Sequence, residues 1–465
     1  MSSTDIELDL EAARTAVHGT PAQGGCSAGP AASSSAAPGQ TLDASHSLGA
    51  AKTTAAVEGA PQAPAVVGQE NPRWTKADSI RTAVAGVVLV AALLTAWYLH
   101  YNNDLGARAS ISLLVGLAIG IVFERGRFCF YCIFRDHIED KNSLGMYSVL
   151  VALAVGSIGY NVVFGMFLPD PLGGHLPPAA HIGPVSWVLA IAGVVFGLGM
   201  SLSGACISGH LYRLGQGYTR AIPALLGALV GFGIGFATWN WFFLNGVSRA
   251  QSLWLPNWLG YAGALLLQLG IFAVLAVVWL RKLPARPARP AGPLTLSYVR
   301  DAVIRNRWGV IVTGTIVGLL GTFYYLRVQP LGVTAQLGSL SRTVLHDQGV
   351  LPDRLNGLDT LKGCATAVVH FVTENGWLVI GLVVAAFAAA LAGNRFKPSK
   401  LTVRGGSTAL LGGVLMGWGS MIGLGCTVGV LLSGISAFAV SGWVFGATCF
   451  FGVWLGIKLR LHRLD

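Results

Sequence analysis

Charge is scarce in this chain. Only 11% of the 465 residues are Asp, Glu, Lys or Arg, against 53% hydrophobic, and mean hydropathy is +0.61. A water-soluble domain carries roughly a quarter of its residues charged. The shortage excludes an ordinary soluble surface and points to lipid as solvent. Histidine and methionine are sparse too, at ten and six. Metal transport calls for such residues clustered within spans, so no metal and no cofactor are expected. A phosphate-cradling loop of the Walker type is missing, which argues against ATP hydrolysis by this chain. The first 70 residues contain no apolar run suited to a cleavable signal peptide. The cysteines lack the close, even spacing of a secreted disulfide framework.

Glycine, by contrast, is abundant, with 62 residues. Small residues let membrane helices approach closely and break where a pathway needs it. The formal charge of +11 raises the question of nucleic acid, but Lys and Arg sit in short loops between apolar runs. That is the positive-inside pattern of a membrane protein, and no nucleic-acid partner is expected.

Residues 1–77 are rich in Ala, Ser, Gly and Pro, and Gly24 to Gly39 carries no charge at all. Such a segment cannot bury enough apolar area to offset its ordering entropy, so it reads as a disordered cytoplasmic tail, with Cys26 incidental. Apolar stretches long enough to cross a bilayer then run near 79–100, 108–124, 144–168, 184–206, 219–245, 258–280, 308–327, 376–393, 406–424 and 430–457. Basic residues cluster at Arg73–Arg81, Arg125–Arg135, Arg213–Arg220, Arg281–Arg307, Arg395–Arg404 and Lys458–Arg463, while 168–184 and 246–257 hold almost none. With both termini cytoplasmic, these clusters fall inside for ten spans. The expectation is an all-α, polytopic integral protein of the inner (plasma) membrane. Its ten spans divide into repeats at 78–250 and 251–465, the second containing the basic cytoplasmic loop 281–307. Five spans per half is odd, so similar halves would insert with opposite orientation. Gly197 to Gly209 and Met416 to Gly429 are similar to one another, each a glycine-rich span closing on Cys-x-x-Gly.

Those two segments are poor helix formers, because glycine costs about 1 kcal/mol relative to alanine. Broken helices are tolerated at membrane depth where they line a protein-enclosed cavity. A break exposes a helix N-terminus, whose N–H groups suit an anion. A thiol placed there adds a soft, polarizable donor. Cys206 and Cys426 are the strongest candidates, framed by Gly204, Gly209, Gly425 and Gly429. Cys129 follows the second span beside Arg125 and Arg127, candidate vestibule residues with His210 and Arg213. Cys364 is placed as the second-half counterpart of Cys129. Thr427 and Ser433 are candidate donors beside Cys426. Cys132 forms a Cys-x-x-Cys with Cys129 in an apparently cytoplasmic segment, which leaves open a membrane thiol–disulfide oxidoreductase. Cys449 reads as packing. His370 and Glu374 read as a solvated face.

Three stretches, in order, resemble the YeeE/YedE membrane proteins with their sulfur-transport domains. They are Arg125-Gly-Arg-Phe-Cys129-Phe with Arg135-Asp136; Gly204-Ala-Cys206-Ile-Ser-Gly209-His-Leu-Tyr-Arg213-Leu-Gly-Gln-Gly217; and Gly425-Cys426-Thr-Val-Gly429 with Leu432-Ser433-Gly434-Ile435. The resemblance runs from about residue 80 to the C-terminus; the tail has no counterpart in it, and the stretch around Cys364 departs from the aromatic-Cys pattern. It implies a channel-like importer, not an enzyme, in which thiols at three levels pass thiosulfate along by S–H···S contacts. Carried onto this chain, those levels are Cys129, Cys206 and Cys426. It also implies other sulfur or selenium species as alternative cargo, and a separate TusA/SirA-like cytoplasmic sulfurtransferase as partner.

Overall fold

The computed structural model describes residues 74–102, 106–283, 295–352, 354–358 and 367–464. Cys26, Cys364, residues 1–73 of the tail and part of the basic loop lie outside them. The chain is all-helical, and the only strand-like pairings among the described residues are two isolated bridges, Pro184 with Ser252 and Trp254 with Ala439.

The first half runs α1 (Lys76–Asn102), α2 (Gly106–Gly126), a short α3 (Phe130–Ile138), α4 (Leu144–Phe167), α5 (Trp187–Ser203), a short α6 (Ile207–Gly215) and α7 (Ala221–Phe242). The second runs α8 (Pro256–Leu280), α9 (Leu296–Ile304), α10 (Val310–Arg327), α11 (Ala335–Asp347), α12 (Glu374–Ala392), α13 (Val403–Ile422), a π-helical segment (Thr427–Gly434) and α14 (Val440–Lys458). Among the described residues nine helices are long and apolar enough to cross a membrane. A tenth span results when α13 and the π-helical segment, bent by 43° at their junction, are taken as one broken span.

Three boundaries differ most from the sequence reading, one of them the fourth span, which continues past residue 206 to Gly215. The second span does not stop at residue 124: the chain breaks at 127–129 and continues as α3, so the candidate span runs Gly106–Ile138. Phe128, Phe130, Tyr131 and Phe134 are buried there rather than exposed in a loop. Arginines at 125 and 127 resemble a loop's topology charges, yet Arg125 is buried against Glu124. The last span starts at Val440, because 427–434 belongs to the break that follows α13.

Glycine sets the packing. α2 lies against α12 so closely that side-chain carbons at Gly116 and Gly120 would collide with the carbonyls of Leu378 and Leu382. α10 approaches α4 in the same way, Gly314 and Gly318 against the carbonyls of Ser148 and Ala152. α5 packs on α13, and α7 and α14 complete the bundle against α13 and α5 respectively. Without a hydrophobic drive between helices in lipid, such backbone contact supplies the dispersion that holds spans together. α1 and α8 stand outermost, with Leu94, Trp97, Leu266 and Val274 exposed, as suits surfaces solvated by lipid.

Candidate functional site

Apart from a kink at Gly260 in α8, three breaks interrupt the described spans, and each carries a cysteine at the same position. α2 ends at Gly126, Arg127 turns left-handed (φ 53°), and Cys129 in extended conformation is the N-cap of α3. α5 ends at Ser203, Gly204 takes φ 84°, and Cys206 is the N-cap of α6. α13 ends at Ile422; Leu424 (φ 58°) and Gly425 (φ 153°) interrupt the helix, and Cys426 is the N-cap of the π-helical segment. Glycine serves at 204 and 425 because few other residues hold positive φ without strain. All three thiols are buried, at 0%, 0% and 1% exposure.

The fold joins the first two breaks. Cys129 Sγ lies 3.7 Å from Cys206 Sγ. Gly209 N–H donates to Cys206 Sγ at 3.3 Å, the Ser208 hydroxyl sits 3.2 Å from it, and the Phe130 N–H at the start of α3 faces it. The starts of α3 and α6, both positive dipole ends, therefore converge on one sulfur pair. A side-chain carbon at Gly209 would fall 2.6 Å from Cys129 Sγ. No residue but glycine permits this approach of the half-helices.

One helical turn on, Arg213 Nη2 donates to Cys132 Sγ at 2.9 Å and its Nη1 donates to the Gly204 carbonyl at 3.1 Å. Arg213 thus ties a thiol to the break itself. His210 lies between, fully buried, with neither ring nitrogen hydrogen-bonded among the described residues. Cys206, His210 and Arg213 follow i, i+4, i+7 spacing, which puts them on one face of α6. Gly429 lies buried in the π-helical segment, where Ser433 donates to the Leu331 carbonyl at 2.7 Å and Thr427 is buried. The Cys426 thiol makes no hydrogen bond that caps its segment. Cys449 is buried within α14, and His370 and Glu374 lie at a partly solvated end beside Asp347 and Arg108.

Sequence reasoning missed two features. A narrow, partly open cleft reaches the α13 break, lined by His181, Ser186, Ile422, Leu424, Val430 and Ser441 among others. Burial pushes the His181 imidazole down to about 4, so it meets the cleft uncharged at neutral pH. The other is Cys132 as an arginine-bound thiol; the i, i+4, i+7 face of α6 was its available signal.

The sulphur transport family profile matches residues 125–455, which spans all three breaks. The chain is 27% identical over 355 residues to the thiosulfate transporter TsuA of Escherichia coli (strain K12), covering 74% of this chain and 92% of that protein. It is 28% identical over 372 residues to the TsuA of Spirochaeta thermophila, covering 76% and 98%. A shorter match, 24% over 163 residues, covers 33% of this chain and 38% of the probable transporter YedE of Escherichia coli. With most of its length matched and its apolar helices in the expected order, the chain is a multi-pass membrane protein that belongs to the sulphur transport family.

Proposed function

We propose that this chain imports thiosulfate across the inner membrane, with Cys426, Cys206 and Cys129 as successive stations. The observation that carries the reading is the shared position of the three cysteines: each stands at the N-cap of the segment that restarts after a break, and two of the thiols touch at 3.7 Å. The TsuA names of the two long matches support thiosulfate as cargo. In this scheme the dianion enters the cleft beside His181 and Ser441 and loses water as it reaches the Cys426 break. There the terminal sulfur accepts S–H while helix N-termini balance the charge. It passes to the Cys206–Cys129 pair and leaves toward Arg213 and Cys132. Weak, multiple contacts suit conduction, since a site must release what it binds. Gly204, Gly209, Gly425 and Gly429 shape the path. Arg125, Arg127, His210 and Arg213 are assigned to its inner vestibule. Cys364 is kept as a second-half candidate.

The same reading places both termini in the cytoplasm and relates 78–250 to 251–465 as inverted halves. The exchange-symmetric pairing, α2 with α12 against α4 with α10, supports it. A TusA/SirA-like sulfurtransferase would take the cargo at the inner face, and 1–77 would form a cytoplasmic tail.

The deciding experiment is uptake of radiolabelled thiosulfate by cells lacking their own thiosulfate transporters, comparing wild type with Cys206→Ala and Cys426→Ala at matched expression. Uptake by wild type that both variants lose is the expected result. Uptake that survives both would remove the thiol stations. If wild type shows none while present in the membrane, the cargo is another sulfur or selenium anion. Cys132→Ser should act mildly; a loss as severe as that of Cys129→Ser, with trapped mixed disulfides, would favour the oxidoreductase.

A further inference from the structure

A second concentration of charge sits where α2 ends, sharing only Arg125 with the vestibule of the proposed path. Glu124 is fully buried. Arg395 grips it with two hydrogen bonds, Nε to Oε1 at 2.7 Å and Nη2 to Oε2 at 2.8 Å. Gln216, the residue that closes α6, donates to Oε1 at 3.1 Å. Arg125 Nε lies 3.5 Å from Oε2 and Arg307 Nη1 lies 3.7 Å from Oε1. Arg307 also donates to the Glu124 backbone carbonyl.

Charge does not balance here. Three guanidiniums against one carboxylate leave an excess of two positive charges, and none of the three pairs with another acid among the described residues. The partly buried Arg307 is pushed down to about 10 by desolvation and then by Arg395 beside it, as mutual repulsion requires. Arg125, 3% exposed, donates from Nη2 to the Ala389 carbonyl at 2.9 Å, while its buried Nη1 has no hydrogen-bond partner. An orphaned guanidinium N–H in such a place carries a full desolvation cost. The groups come from four parts of the chain: α2, the end of α6, the segment before α10 and the segment after α12. Arg307 remains 39% exposed, so the cluster borders the surface.

We propose that Arg125, Arg307 and Arg395 form a binding site for a doubly charged tetrahedral sulfur oxyanion, in which the Glu124 carboxylate holds the anion's place when the site is empty. The site takes its cargo class from the transport reading, but it recognises the oxygen face of the anion and needs no thiol. Forked guanidiniums match such oxygens in pairs, and a dianion would cancel the excess of two charges. Gln216 links the site to the helix that carries Cys206 and Arg213, so displacement of Glu124 frees the end of α6 as the anion arrives.

Radiolabelled inorganic sulfate, which has the oxygens but no terminal sulfur, is the probe. It is titrated against the purified full-length chain in detergent at fixed ionic strength, with chloride as control. Wild type should bind sulfate saturably. Glu124→Gln removes the competing carboxylate and should tighten binding by about tenfold, a modest return for one buried charge. Arg395→Gln should weaken it by at least about tenfold. No saturable binding by monodisperse wild type, or binding indifferent to Arg395→Gln, overturns the proposal; so does weaker binding in Glu124→Gln. If Glu124→Gln fails to fold, the half-exposed Arg307→Gln decides, since it should weaken binding without disturbing the buried pair. Thiosulfate uptake without sulfate binding would sink this site alone. Sulfate binding without uptake would sink the cargo reading and leave the site.

Discussion

Several long helices in this chain are capped at the N-terminus by a hydroxyl side chain. Ser186, Thr373 and Thr402 cap α5, α12 and α13 through oxygen, accepting from Leu189, Gly376 and Gly405. The three cysteine-bearing breaks place Cys129, Cys206 and Cys426 at that position instead, and of these only Cys206 accepts a capping hydrogen bond through its sulfur. Sulfur is the poorer acceptor, so a cysteine at an N-cap forgoes capping stability that a serine would supply. Cys206 shows it most directly, since its Sγ accepts the Gly209 N–H just as a serine Oγ would. Cys206→Ser is therefore expected to fold at least as well as wild type, gaining up to about 1 kcal/mol, while thiosulfate uptake collapses. Thermal unfolding in detergent beside the uptake assay tests both halves. A serine variant that still transports would make this thiol a cap and nothing more.

At the scale of elements, the half-helices α3 and α6 decide whether the thiol pair exists. Their approach depends on Gly209, where an added carbon would meet Cys129 Sγ at 2.6 Å and Cys206 Sγ at 3.3 Å. Both sulfurs are fully buried and cannot swing into solvent. Gly209→Ala should thus push the pair apart at an overpacking cost of about 1–3 kcal/mol. Uptake is expected to fall by tenfold or more, by the order that the overpacking cost implies if spent on the path. Protein should still reach the membrane, which a membrane-fraction immunoblot checks. Near-normal uptake would show that the 3.7 Å contact is dispensable. The break at 204–206 was legible from Gly-x-Cys-x-x-Gly, and so was that at 425–426. The break at 127–129 was not, because Arg125 and Arg127 read as the start of a loop. Pairing with the buried Glu124 is what lets Arg125 lie within the protein.

For the whole molecule, the alternation of spans makes a claim that labelling can test. Leu172, exposed between α4 and α5, and Val403, exposed at the start of α13, belong to opposite faces if both termini are cytoplasmic. In a variant whose native cysteines are replaced by serine, Leu172→Cys is expected to react with an impermeant maleimide on intact cells. Val403→Cys should react only after permeabilisation. The reverse pattern would invert the molecule and with it the direction of the proposed path. The pairing of α2 with α12 and α4 with α10 is what inverted halves would produce, since exchanging the halves exchanges the two contacts.

Hydropathy and glycine placement are local properties, so the sequence by itself determined the approximate spans and two of the three cysteine-bearing breaks. It also marked Cys129, Cys206 and Cys426, through short motifs that act where they stand. Distance between remote residues is not local. A separation of 77 positions along the chain from Cys129 to Cys206 says nothing of a 3.7 Å contact, nor does one of 271 from Glu124 to Arg395 of a doubly hydrogen-bonded pair. Those meetings follow from which helices pack together. In lipid that choice is made by backbone surfaces fitting over whole spans, and it is settled only when all the helices are in place.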